Sequence, residues 1–258
     1  MPRDTEILRT FEIADDGMQG VIGYFYYLTA CQEIADKEVV KGKLPFVDKD
    51  KPALHRLPIT VEWDRYYDPN ELIGAMDDVF LSYHARTALI SVIAIFEAAL
   101  KGFAKRLKET QKGFITLPKK NNYEARLDWA FKLAKDSQSM ARTKRLLPDC
   151  CLDVDHARRI RNLWVHNKGF FDEGYDHGIA VNGKSHKIAP EYQQWKKDGK
   201  PRSVYLNPDD FEILSVSHIT LLHHVHDAIQ RKYFGETEGY SYRGEKKTIN
   251  WHRVLGDF

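Results

Sequence analysis

This chain holds few of the residues and patterns that usually announce a mechanism. It has only three cysteines, Cys31 and the adjacent Cys150 and Cys151. Neighbouring cysteines cannot supply a disulfide framework or a two-pair zinc site, and a reducing cytosol is the simplest home for such a chain. No GxGxxG, GxSxG or HExxH pattern occurs, which removes the usual dinucleotide fingerprint, nucleophile elbow and zincin pair. The longest apolar stretch, Ala88 to Leu100, is interrupted by Ser91 and Glu97, and the opening MPRDTEILRTFEIADDG scatters acids where a secretory signal would be apolar. Neither a signal peptide nor a membrane span is expected. Internal repeats and low-complexity tracts are absent too. A formal charge of +2 excludes a strongly basic or acidic chain, although Lys101, Lys105, Arg106, Lys108 and Lys112 cluster, as do Lys196, Lys197, Lys200 and Arg202. Such runs read first as solvated faces.

What is present is an ordinary globular balance, 43% apolar and 29% charged over 258 residues, enough for one large domain with embellishments. Helical periodicity dominates. A helix is expected from about Ile7 to Asp36, with Gly17, Gly20 and Gly23 weakening its first half. A connector with Pro45, Pro52 and Pro58 follows, with room for one short strand at Ile59–Trp63. The clearest helix runs from Asn70 to Glu109, broken near Ser82. Ala85, Leu89, Val92, Phe96, Ala99, Phe103 and Leu107 form one apolar row, and Ile90, Ile93 and Leu100 a second, the signature of a central helix. Glu97 interrupts the second row, either as a rim ion pair with Lys101 or as a carboxylate with a buried partner. Helices at about Tyr123–Ser137 and Ser139–Leu147 come next, the latter ended by Pro148. Another spans about Asp153–Lys168, with Asp153 as N-cap and Gly169 as the left-handed closing residue. Between Phe170 and Leu206 the helical period is lost, and runs such as HGIAV and RSVYL suggest a loop with a small hairpin. NPDD at 207–210 starts a last helix that reaches about Tyr233.

The chemically specific stretch is DHARRIRNLWVHNKG, Asp155 to Gly169. With Asn162 set at zero on a helical wheel, Asp155, Arg159 and His166 fall within about 60° on one side and Arg158 about 40° on the other. The five form one polar stripe, with Ala157, Ile160, Leu163 and Trp164 on the apolar side. Arg161 lies on the flank, about 140° from His166. The plain reading is that the arginines are solvent charges and the histidine complements a helix C-terminus. The set also suits phosphodiester chemistry. Imidazole moves protons near neutral pH, guanidinium matches phosphate oxygens, and an amide can orient the imidazole.

RNLWVHNKG resembles the signature of the HEPN superfamily (higher eukaryotes and prokaryotes nucleotide-binding), an arginine with a following polar residue and a histidine four to six residues on. Here four residues separate Arg161 from His166, and Asn162 is the polar one. The resemblance implies a mainly α, HEPN-like helical bundle over residues 68–234 with a small irregular or β-hairpin insertion at about 170–206. Residues 1–67 would be an N-terminal helix and connector packed on it, and 235–258 a C-terminal tail. It also implies a metal-independent endoribonuclease needing no cofactor, a toxin or antiphage defence effector working in the cytoplasm as a homodimer on RNA, with an antitoxin or defence-system protein as a further partner. Arg161, Asn162 and His166 would be catalytic, Arg158, Arg159 and Lys168 would bind RNA, and Glu97 would be a supporting acid. Where one subgroup carries a tyrosine modified by a nucleotidyltransferase, this chain has Lys168, so that regulation is not expected. Members that have lost catalysis bind RNA or scaffold complexes, and this is the alternative reading.

A rival cluster sits in SHITLLHHVHD, where His218, His223, His224, His226 and Asp227 share the last helix. His223 and Asp227 lie one turn apart, yet without HExxH or a nearby cysteine a metal site is not expected, and an aqueous or groove-lining face is. Trp129, Trp164, Trp195 and Trp251 read as packing residues rather than stacking platforms.

Overall fold

The computed structural model describes residues 4–40, 82–110, 118, 122–137, 141–179 and 189–235. Among the described residues the helices are α1 (Thr5–Val40), α2 (Ser82–Thr110), α3 (Tyr123–Ala134), α4 (Ala141–His166), α5 (Pro190–Asp198) and α6 (Pro208–Phe234), with one 3-10 turn at Glu173–Asp176. The protein is mainly α. The expected short strand at Ile59–Trp63, the 70–81 part of the long helix and the tail beyond Gly235 lie outside the described residues.

The two expected apolar rows of α2 go inward. Every member of the first is buried, as are Ile93 and Leu100 of the second. By length and composition α2 could cross a membrane, but here its rows are covered by α1, α3, α4 and α6. Helix α6 is the other hub, packing on α1, α2, α3 and α4. Its inward row of Phe211, Leu214, Leu221, Val225 and Ile229 is buried as expected. Asn207 caps it by accepting the Asp210 N–H at 2.7 Å, Pro208 opens it, and Gly235 closes it in the left-handed region.

Helix α1 continues through its glycines, because Phe11, Met18 and Phe25 bury themselves along its length and packing outweighs local propensity. Asp4 starts it. Its Oδ1 accepts the N–H groups of Glu6 (3.1 Å) and Ile7 (2.9 Å), while Arg106 of α2 donates to its Oδ2 through Nε (3.0 Å) and Nη2 (2.9 Å). Burial alone would raise the Asp4 carboxyl, but Arg106 and these N–H donors outweigh it and hold its pKa below the ordinary value. The two helices approach closely where Gly102 faces Thr10; a Cβ at 102 would sit 2.9 Å from Thr10 Cγ2.

Helix α4 corrects an expected boundary. Pro148 does not end a helix there but lies within a continuous one. Proline forfeits one backbone hydrogen bond, yet Leu147, Cys151, Val154 and Ala157 follow at helical spacing on both sides of it and are all buried. Asp153 is therefore mid-helix rather than an N-cap, and its Oδ2 accepts the Ser217 hydroxyl of α6 at 2.8 Å.

The hairpin expected between 170 and 206 is not found among the described residues. One antiparallel bridge joins Phe170 to Ser203, with Phe171 N–H donating to Arg202 O (3.0 Å) and Val204 N–H to Gly169 O (2.8 Å). Rings also hold the described part of the insertion together. Tyr175 packs on Phe171 and Tyr192 at centroid distances of 5.1 and 4.8 Å, and the half-buried Trp195 stacks on Tyr192.

Candidate functional site

Helix α4 is fastened by the expected face, with Ala157, Ile160, Leu163 and Trp164 all buried. It ends at His166, and Leu163 O accepts both the Asn167 N–H (2.8 Å) and the Gly169 N–H (3.0 Å). Two residues make the turn in the left-handed region, Lys168 at φ 54° and Gly169 at φ 87°. Only glycine suits the second. A side chain there would also meet Trp164 Cδ1 at 3.2 Å. The Asn167 amide closes the turn by donating to Phe170 O at 2.8 Å.

The open polar stripe expected on this helix is not there as drawn. Asp155, Arg158 and Arg159 are buried, at 0%, 6% and 3% exposure. Asp155 Oδ1 takes the Arg158 Nε at 2.9 Å, its Oδ2 lies 3.3 Å from Arg159 Nε, and the same Oδ2 accepts the Ile179 N–H at 3.0 Å. Arg158 Nη2 then donates to His177 O (2.7 Å) and Arg159 Nη1 to Tyr175 O (2.9 Å), with the Arg159 guanidinium 5.0 Å from the Tyr175 ring centroid. The role expected of Arg158 and Arg159, gripping RNA phosphates from an open face, is thereby corrected: they clamp the insertion to α4. The wheel misled because it records direction only, and the returning 170–179 segment covers that direction. Gly178 makes room for this, since a Cβ there would stand 3.0 Å from Asp155 Oδ2.

What the clamp leaves over is Arg161, Asn162, His166 and Lys168. Arg161 and Asn162 are half-buried and bonded to each other, Nη1 donating to Oδ1 at 3.2 Å, and His166 and Lys168 are exposed. Glu97 pairs with Arg126 of α3 rather than with Lys101. Beside this pair lies the buried Tyr123, whose hydroxyl has no hydrogen-bond partner among the described residues. Burial first, then the Glu97 charge, raises the Tyr123 pKa, while Arg158, Arg161 and Arg126 act in the opposite sense. Glu97 and Arg161 thus act on one buried phenol.

Two groups of α2 and α3 escaped the sequence reading. Tyr123 entered it only as the start of a helix. Arg86 places its guanidinium 5.4 Å from the centroid of Trp164, and the available signal was spacing: Arg86 and Glu97 are eleven residues apart, about 20° on a helix. His156, also unremarked, lines a cavity of about 480 Å³ with Asp153, Tyr175, Glu191, Asn207 and Asp210 on a different flank of α4.

The histidine row of α6 is not an aqueous face. His218, His224 and His226 are buried. His218 Nδ1 lies 2.7 Å from Leu214 O, and burial lowers its pKa to about 4, keeping the ring neutral. His224 meets the Ser137 hydroxyl at 2.8 Å, His226 stacks on Phe11 at 4.2 Å, and His223 lies 3.1 Å from Asp15. Among the described residues no group of three His, Cys, Asp or Glu side chains could hold a metal ion. Trp129 and Trp164 are buried packing residues, and Trp251 lies outside the described residues.

No protein family, no curated protein and no solved structure matches the chain.

Proposed function

We propose that the protein is a metal-independent endoribonuclease of HEPN type, acting as a homodimer in the cytoplasm as a toxin or antiphage effector. One observation carries the reading. Within Asp155–Lys168, folding consumes Arg158 and Arg159 internally and leaves Arg161, Asn162, His166 and Lys168 at the accessible end. The residues of the motif are the ones not used to hold the fold. In the reaction the ribose 2′-oxygen attacks the adjacent phosphorus and the 5′-oxygen leaves. A base takes the 2′-hydroxyl proton and an acid protonates the departing oxygen, giving a 2′,3′-cyclic phosphate and a 5′-hydroxyl. One chain offers one histidine at this end of α4, so two copies of His166 would fill both proton roles. Arg161 answers the charge developing on the phosphorane, Asn162 orients the guanidinium it already touches, and Lys168 binds a neighbouring phosphate. An antitoxin or defence-system protein would control it.

The alternative is a non-catalytic module that binds RNA or scaffolds a complex. It is favoured by the half-buried Arg161, whose charge acts on the buried Tyr123 together with that of Glu97 and whose Nη1 is engaged by Asn162. Incubating the purified protein with an RNA panel in EDTA separates the two. The nuclease reading expects cyclic-phosphate ends, with His166→Ala and Arg161→Ala each reducing cleavage at least about 100-fold. Intact RNA in every reaction, with no antitoxin present, leaves only the binding module. Activity from a strict monomer at micromolar concentration sinks the dimer separately.

A further inference from the structure

The cavity of about 480 Å³ lies where α4, the two ends of the insertion and the first turns of α5 and α6 meet. Its volume falls within the range of sites that enclose a small organic molecule. Ile160, Phe171, Leu206 and Leu214 give it buried apolar surface. Tyr175, only 1% exposed, adds a fixed polar group, its hydroxyl 3.4 Å from His156 Nδ1. The exposed Tyr205 and Ile213 also line the cavity, so it reaches the surface.

The charge of this lining is one-sided. Asp153 of α4, Glu191 of α5 and Asp210 of α6 belong to it, and no lysine or arginine does. Glu191 and Asp210 also complement the dipoles of the helices they begin, but Asp153 is mid-helix and gains nothing from that. Its Oδ2 accepts the Ser217 hydroxyl at 2.8 Å, which uses one of the roughly four acceptor positions of a carboxylate. An anion is repelled here and a cation attracted. A compact metal ion does not fit, since no group of three His, Cys, Asp or Glu side chains among the described residues could hold one. The three carboxylates are instead spread over three helices, with apolar side chains in the same lining. The ligand that matches such a wall carries several positive charges separated by hydrocarbon.

We infer that this cavity binds a linear aliphatic polyamine, its ammonium groups meeting Asp153, Glu191 and Asp210 and its methylenes lying on Ile160, Phe171 and Leu214. The site is separate from Arg161, Asn162, His166 and Lys168 and does not depend on the ribonuclease reading. A ligand there touches α4, both ends of the insertion and α6 at once, and so fastens the insertion to the helices that carry it.

The test is isothermal titration calorimetry of the full chain with spermidine, beside hexylamine and magnesium chloride at matched ionic strength, so that general screening is held constant. Spermidine is expected to saturate a single site. Hexylamine, with one ammonium group, should bind at least about tenfold more weakly, the loss of charge-assisted hydrogen bonds. Asp153→Asn is expected to weaken spermidine about tenfold. The double variant Glu191→Gln/Asp210→Asn, at exposed positions, should weaken it about fivefold. Glu12→Gln on the exposed face of α1 should bind as the wild type does. If Asp153→Asn fails to fold, the double variant decides alone. The site is overturned by a wild type that shows no saturable heat at millimolar spermidine, or by variants that bind as tightly as the wild type. Magnesium displacing spermidine at equal ionic strength also overturns it, because the cavity would then be only an acidic surface.

Discussion

Two stretches of this protein concentrate ionisable rings and charges, Asp155–Lys168 along α4 and its closing turn and His218–Arg231 on α6, and the fold treats them differently. On α6 the histidines turn inward, where carbonyls, hydroxyls and the Phe11 ring engage them. Along α4 and its closing turn the treatment changes within three turns: Asp155, Arg158 and Arg159 are sealed under the insertion, while Arg161, Asn162, His166 and Lys168 stay within reach of solvent. A crowd of polar residues is therefore not itself a site. The informative quantity is how many donors remain after burial has taken its share, because a buried polar group must be satisfied internally.

The comparison breaks most sharply at Asp155. Replacing it with alanine leaves two buried guanidiniums without their carboxylate, and a loss of about 3–5 kcal/mol is expected in denaturant unfolding. A change within about 0.5 kcal/mol, the size of an ordinary surface substitution, would show that Arg158 and Arg159 are not the clamp described.

Acid sharpens the α6 side of the comparison. The folded pKa of His218, about 4, lies below its unfolded value of 6.5, so the unfolded chain binds the extra proton first. The neutral ring's contribution is complete above about pH 6.5 and declines as pH falls toward 4, at most about 1.4 kcal/mol per unit. Melting temperature is expected to fall between pH 7 and pH 5, with a shallower fall in His218→Leu. Equal slopes in the two proteins would remove His218 from the account.

The smallest effect has the opposite sign. Lys168 holds a left-handed conformation that suits glycine better, so Lys168→Gly is expected to leave stability unchanged or raise it by up to about 1 kcal/mol. Its RNA affinity should meanwhile weaken, with a salt slope lower by about 0.7. A clear loss of stability would mean that the lysine serves the turn rather than a ligand.

Much of the fold was legible because it rests on repetition. The rows of α2 and α6 recur at helical spacing, and Asn207, Pro208 and Gly169 act locally, so their places needed no tertiary information. The misplaced boundary at Pro148 shows where local rules stop: a proline penalty of a few kcal/mol was outweighed by an apolar face running through it. At the candidate site, the anchoring face of α4 and the closing turn could be read. The fate of Arg158 and Arg159 could not, since it depends on a segment some 20 residues later returning to supply carbonyls. Arg86 and Tyr123 were missed for the same reason, as neither stands near the motif in the chain.

By itself the sequence determined a mainly helical protein, a central α2, a capped α6 and a cation-rich α4 ending in Arg161, Asn162 and His166. Periodicity, capping and turn chemistry act over a few residues, which is why these could be read directly. Only the tertiary structure decided which charges were used and which were left. That choice depends on which distant carboxylates and carbonyls reach each guanidinium, and no spacing along the chain encodes it.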